Sequence, residues 1–264
     1  YAINIETGNI IWSKNNIVPF NSEIKVIGNN FYVVDYKNIL RSISIKDGSE
    51  LWNLKTEESL TKSNTKISIV FDKEKIYFNN SIGDITAVNI KSGKLMWQLT
   101  TQSKNISSNA FLLSNSKLVL SDDSIYFSNN RNEFYSIDTN TGLINWKNEI
   151  NSYLRPVVIG KFIVTVSDKG YLYMINKTTG NIIRINDLHK DYKKKKRKEI
   201  FSSGFVVTQN KVYLTNNDGK LIVAELDTGA ITSINKISRD KILQPYLNNN
   251  NLFLIRNGSI IRFN

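Results

Sequence analysis

The chain has no cysteine, one histidine and only three prolines among its 264 residues. Without thiols there is no disulfide framework, thiolate metal site, iron–sulfur cluster or cysteine nucleophile. A single imidazole, His189, makes neither a histidine-based metal centre nor a Ser-His-Asp triad, and beside a charged stretch it reads as a surface residue. No apolar run approaches the roughly 18 residues of a helical membrane span. No stretch shows sustained helical periodicity with caps. With proline scarce, Asn, Gly and Ser carry the turns. There is no initiator Met and no signal-peptide pattern, so the expectation is a mature or excised piece of a longer protein.

What is present is apolar enough for a packed core: 41% hydrophobic and 11% aromatic residues, beyond the range of disordered chains. The formal net charge is +12, from 35 Lys and Arg against 23 Asp and Glu. Such a balance suggests anionic partners. Abundant Asn, Lys, Ile and Ser also fit a second reading, in which an AT-rich coding sequence writes the same residues onto any solvated surface.

A repeat organises the chain. ETGNIIW, KDGSELW, KSGKLMW and NTGLINW are four copies of one motif, and TTGNIIR and DTGAITS are two weaker ones. Their glycines are Gly8, Gly48, Gly93, Gly142, Gly180 and Gly229, 38 to 49 residues apart. All four tryptophans, Trp12, Trp52, Trp97 and Trp146, follow a motif glycine by four residues. Arg184 and Ser233 stand at that position in the last two copies. Ten residues before five of the glycines lie Asn38, Gly83, Asn132, Gly170 and Gly219, residue types that tolerate positive φ. Each is flanked by β-rich runs, which reads as a hairpin with a tight turn. A sixth hairpin, LFLIRNGSIIRF, ends the chain without a Gly-x3-Trp partner.

One unit is therefore strand, hairpin, glycine turn and Trp-bearing strand: four strands in the span of one propeller blade. The fold class is all-β, a β-propeller of four-stranded antiparallel blades. About six blades are expected in this chain, as a single domain over 1–264, and seven or eight in a parent protein that has further N-terminal blades. In the turn, glycine supplies a left-handed backbone and the neighbouring Thr, Ser or Asp bonds the turn backbone. Each indole is expected to fill the wedge between neighbouring sheets, and that contact is expected to weaken at Arg184 and Ser233.

The pattern seen in YAINIETGNIIW, TAVNIKSGKLMW and YSIDTNTGLINW resembles the pyrroloquinoline-quinone repeat family of β-propellers over essentially the whole chain. These motifs specify the scaffold rather than a function. The family has a quinoprotein dehydrogenase branch and a non-enzymatic branch of BamB-like outer-membrane assembly factors. The dehydrogenase branch implies a vicinal cysteine pair, Ca²⁺ ligands and an Asp base. Here there is no cysteine, and the adjacent carboxylates Asp122-Asp123 and Glu57-Glu58 would point to opposite faces of a strand. The expectation is a protein that is not an enzyme and needs no cofactor or metal, with a quinoprotein fragment as the alternative.

The stretch NSYLRPVVIGKFIVTVSDKGYLYMINKTTGNI is similar to BamB-like segments. That resemblance implies a protein-binding scaffold, in the periplasm and outer-membrane-anchored in the full-length protein, whose connector Leu-Arg pair docks on a POTRA-containing barrel-assembly protein. Leu154 and Arg155 occupy the matching connector. An exposed leucine would enter an apolar pocket while the arginine makes forked bonds; the other reading has Leu154 packed under the blade and Arg155 solvated.

A third feature is a basic connector, KDYKKKKRKE, carrying Lys190, Lys193, Lys194, Lys195, Lys196, Arg197 and Lys198 against two carboxylates. It reads either as a mobile solvated loop or as a patch for an anionic membrane surface or another polyanion. With only Tyr192 and Phe201 nearby, base stacking is not supported, and nucleic acid is not favoured.

Overall fold

The computed structural model describes residues 1–57, 66–101, 114–249 and 251–263. In chain order the strands are β1 (Ala2–Ile3), β2 (Ile10–Trp12), β3 (Lys25–Ile27), β4 (Asn30–Val34), β5 (Ile39–Ser44), β6 (Glu50–Lys55), β7 (Ile69–Phe71), β8 (Lys75–Asn79), β9 (Ile85–Asn89), β10 (Leu95–Leu99), β11 (Val119–Ser121), β12 (Ser124–Asn129), β13 (Glu133–Asp138) and β14 (Ile144–Asn148). They continue as β15 (Val157–Ile159), β16 (Phe162–Val166), β17 (Tyr171–Asn176), β18 (Ile182–Asp187), β19 (Ser202–Val207), β20 (Lys211–Asn216), β21 (Lys220–Glu225), β22 (Ile231–Lys236), β23 (Tyr246–Asn248), β24 (Asn251–Arg256) and β25 (Ser259–Phe263). The one helix among the described residues is α1 (Lys194–Arg197).

Among the described residues pairing makes seven sheets. Five are four-stranded meanders in sequence order: β3–β6, β7–β10, β11–β14, β15–β18 and β19–β22. The first sheet has two strands, β1 and β2, and the last has three, β23 to β25. The chain is thus an all-β protein built of propeller blades, read out of phase with its own repeat, as the motif order implied.

Burial runs from the inner strands outward. Every residue of β8 is buried, and β9 is buried over four of its five residues. The Trp-bearing strands alternate instead, with Trp52 and Leu54 of β6 half-buried and Leu51, Asn53 and Lys55 exposed. Inner strands covered on both faces need continuous apolar runs, whereas an outer strand half in water needs a period of two. The hairpin turns take the left-handed backbone expected: φ is +59° at Asn38, +94° at Gly83, +60° at Asn132, +80° at Gly170 and +77° at Gly219.

The described residues form two compact units, Tyr1–Ile125 with Ile137–Ile144, and Tyr126–Ser136 with Asn145–Asn264. The core of the first is built around Tyr32, Val34, Leu40, Ile69, Ile76 and Phe78. The second has two clusters, one around Val164, Leu172, Leu188, Phe205 and Leu214, the other around Leu221, Ile242 and Leu254.

Within each unit the glycine motif works as a latch. Gly142 has φ +74°, and a Cβ built on it would lie 2.6 Å from Cδ2 of Trp97, on the preceding sheet. A Cβ on Gly48, Gly93 or Gly180 would come within 2.8, 2.5 and 2.6 Å of Trp12, Trp52 and Trp146. The absence of a side chain is what lets the ring lie flat on the turn. The indole N–H then donates to a backbone carbonyl three residues before the glycine: Trp12 to Ile45 at 2.7 Å, Trp97 to Thr139 at 2.9 Å and Trp146 to Lys177 at 3.0 Å. An aromatic ring supports each of the four indoles, with centroids 5.8 Å apart for Tyr32–Trp52 and Tyr77–Trp97, 6.1 Å apart for Tyr126–Trp146 and 6.3 Å apart for Trp12–Phe31.

Arg184 keeps half of this device. Its guanidinium donates to the Leu226 carbonyl, which stands three residues before Gly229, and the Asn186 side chain covers Gly229 in place of a ring. The contact expected to weaken at Arg184 thus loses its ring and keeps its polar part. Ser233 keeps neither part. It lines a groove of about 840 Å³ with Tyr213, Val223, Leu247 and Phe263.

Candidate functional site

The connector between β14 and β15 is held tightly. Ser152 is fully buried, and its hydroxyl donates to the Val166 carbonyl at 2.7 Å while accepting from the Leu154 N–H at 3.2 Å. The Tyr153 hydroxyl donates to the Ser202 carbonyl at 2.8 Å. Leu154 is only 5% exposed and packs in the cluster of Leu188, Tyr192 and Ile200. Of the two readings of this pair, the structure has the packed one: about 25 cal/mol per Å² favours burying the leucine, and this cluster offers the surface to do so. Arg155 is the one exposed residue between 150 and 156. The connector is a rigid knuckle that presents a guanidinium.

The basic connector packs against the same cluster through Tyr192 and Ile200. It is not a loose loop. Tyr192 is buried, and its hydroxyl lies 3.1 Å from both carboxylate oxygens of Asp218. Asn217 accepts from the Phe201 N–H at 2.8 Å and donates to the Glu199 carbonyl at 2.8 Å. Between these anchors α1 forms a single turn with no buried residue.

The seven cations divide into two sets. Arg197 is turned inward, bonded to Asp187 at 2.8 Å and to the Tyr171 hydroxyl at 3.1 Å. Lys196 reaches Asp218 at 3.7 Å. Lys190, Lys193, Lys194, Lys195 and Lys198 are exposed, and among the described residues no carboxylate pairs with them. Beside them Lys169 stands 3.7 Å above the ring of Phe201, itself 38% exposed.

His189 is fully buried, not on the surface. It lies against Gly170, where a Cβ would come within 2.3 Å of the ring. Its Nε2 is 3.1 Å from Asn216 Oδ1, so Nε2 carries the proton, and Nδ1 is buried without a partner. Asn216 donates to the Tyr192 hydroxyl at 3.2 Å, and Tyr192 donates on to Asp218. Burial holds the His189 pKa below its ordinary value, opposed by the bond to Asn216 and by Asp187. The chain of bonds fixes the base of the cationic loop; the ring is enclosed, so no ligand reaches it.

Among the described residues no three acidic or imidazole groups are placed to hold a metal. Asp122 sits in the turn before β12 with φ +51°, and Glu58 lies outside the described residues. The glycine turns carry one further bonding group. The residue four positions before the motif glycine accepts two backbone N–H groups: Asn4, Asn89, Asp138 and Asn176 each do so at 2.8 to 3.1 Å. The Asn or Asp of the repeat pattern is therefore an Asx turn, and it does more of the turn bonding than the Thr or Ser beside the glycine.

Comparison with known proteins gives a consistent result. A family model described as outer membrane protein assembly factor BamB matches residues 1–186. A protein of that name from Shewanella oneidensis is 25% identical over 160 residues, covering 58% of this chain and 35% of that protein. Its namesake from Legionella pneumophila is 20% identical over 153 residues, covering 54% and 37%. The matched stretch spans little more than a third of these curated relatives. Among solved structures, BamB from Moraxella catarrhalis superposes with a TM-score of 0.75 at 16% identity, covering 98% of this chain and 76% of that one. The C-terminal WD40 domain of Sif2 superposes at 0.59, with 14% identity over 86% of this chain and 61% of that one.

Proposed function

The chain belongs to the family of outer membrane protein assembly factor BamB, and from that membership we propose that it is a non-enzymatic, protein-binding propeller acting in the periplasm in outer-membrane β-barrel assembly. In this reading 1–264 works as one propeller domain. Its partner is a POTRA-containing barrel-assembly protein, met by the connector that follows β14. The observation that carries the proposal is the build of that connector. Ser152, Tyr153 and Leu154 are consumed in holding it, and Arg155 alone is presented to solvent. A guanidinium on a fixed stalk loses little conformational entropy on binding, and its planar fork suits a carboxylate or paired carbonyls. Leu154 serves as the anchor beneath it.

The test is pull-down and titration calorimetry with a purified POTRA-containing partner. Arg155→Glu is expected to weaken binding by more than about tenfold, as for a hot-spot arginine, with the thermal transition unchanged. Leu154→Ala is expected to lose about 2–5 kcal/mol of stability, as other buried leucines do. Undiminished binding by Arg155→Glu would remove the connector from the interface.

A further inference from the structure

We propose that the loop from Lys190 to Phe201 is a docking surface for an anionic lipid bilayer. The proposal is independent of the assembly reading, since it asks only what lies against this one loop. Charge is the first ground. Every residue of α1 is a cation, its first turn holds no acid and no residue of it is buried. Lys194 and Lys198 are one helical turn apart, and like charges at that spacing repel. The protein spends bonds to impose this arrangement. Tyr192 and Ile200 are buried on either side of it, and Arg197 is tied down by Asp187 and Tyr171. A turn ordered against its own repulsion, with Lys190, Lys193, Lys194, Lys195 and Lys198 unpaired, has its counter-charge outside the chain.

The kind of charge narrows the partner. The arginine of the loop faces inward, and the groups facing outward are lysines. Ammonium groups on long flexible stems act as point charges and do not need a fixed fork of acceptors. That suits a fluid field of lipid phosphates better than a defined set of carboxylates on a folded protein. The second ground is apolar. Phe201 is 38% exposed, with the Lys169 ammonium 3.7 Å from its ring centroid. An exposed aromatic ring capped by a long cationic side chain suits the headgroup boundary, where the ring enters the acyl edge and the ammonium stays with phosphate.

The experiment is co-sedimentation of the 264-residue chain with vesicles of phosphatidylglycerol in phosphatidylcholine, and with phosphatidylcholine alone. Binding is expected only to the anionic vesicles, and it should fall by more than about tenfold between about 0.05 M and about 0.5 M salt. Each lysine near the surface contributes roughly fivefold. The variant Lys193→Gln/Lys194→Gln/Lys195→Gln/Lys198→Gln should therefore lose more than about tenfold. These side chains are exposed and repel one another, so the thermal transition should not fall. Phe201→Ser should weaken binding severalfold without changing the salt dependence, and Arg155→Ala should bind as the parent does. Equal binding to neutral vesicles, or an unaffected quadruple variant, overturns the proposal. So does tighter binding of soluble poly-glutamate than of vesicles, which would assign the loop to an acidic protein.

Discussion

The sheets that carry an indole and the sheets that have lost it are the same structure with one part exchanged. In both, the fourth strand slips register against the third at the same place. Trp52 faces Ser42, Trp97 faces Ala87, Arg184 faces Met174 and Ser233 faces Val223. Each pairing adjoins a bulge, which bends the strand and points that side chain at the next sheet. The bulge persists where the tryptophan is gone, so it belongs to the backbone pattern and not to the ring. The ring adds packing and one hydrogen bond. Arg184 retains the bond and not the packing, and Ser233 has neither. The difference shows which part of the motif makes a blade and which part joins it to its neighbour.

The sharpest way to break this comparison is to add one methyl group to a latched and an unlatched glycine. Gly8 and Gly142 have nearly the same backbone, φ +71° and +74°, but nothing lies within 4 Å of a Cβ on Gly8. Gly8→Ala should lose only the left-handed penalty, about 1 kcal/mol. Gly142→Ala should lose that and the seat of Trp97 as well, about 3 kcal/mol in all, by analogy with other overpacked sites. Denaturant unfolding measures both. Equal losses would mean that the indole gives way freely and that the glycine is there for the turn alone.

The converse substitution sharpens it. Ser233→Trp places an indole at the latch position, over a groove floored by Tyr213, Val223, Leu247 and Phe263. About 1 kcal/mol of added stability is expected from partial burial of the ring. The same measurement should show no gain for Ser233→Gln, which adds length without an apolar face. A gain of similar size for both would mean that the groove rewards any added side chain.

These contrasts mark what the sequence could reveal. Glycine-to-tryptophan spacing is a local, repeated signal, and local backbone needs are strict, so the blades and the positive φ at Asn38 and Asn132 were legible. Connectors lack both properties. Leu154 is buried by a cluster assembled from Leu188, Tyr192 and Ile200, which lie 34 to 46 residues away in the chain, and no periodicity announces such a partner. The charge run beside His189 suggested solvent, yet Gly170 leaves the room in which the imidazole is enclosed. The order of the basic loop depends on Tyr192 reaching Asp218, a contact across 26 residues. The Asx turn was visible in the pattern at Asn4, Asn89, Asp138 and Asn176; it lacked only its assignment.

The smallest effect expected separates the enclosed imidazole from the exposed lysines around it. The His189 pKa is lowered by burial, more than the Asn216 bond and the Asp187 and Asp218 charges raise it, with Arg197 adding to the lowering. The unfolded chain therefore binds a proton more readily than the folded one. Stability should fall as pH drops below about 6.5, the ordinary value, and keep falling until the folded-state pKa is passed. Protonation would also bury a second N–H at Nδ1, which has no acceptor. His189→Gln keeps a donor for Asn216 and cannot be protonated, so its unfolding free energy should vary less between pH 7 and pH 5 than that of the parent. Asp168, whose carboxyl burial pushes up, contributes with the opposite sign in both proteins and cancels in the difference. Parallel pH profiles for the two would show that the imidazole titrates as freely inside the fold as outside it, and the enclosure drawn around Gly170 and Asn216 would have to be abandoned.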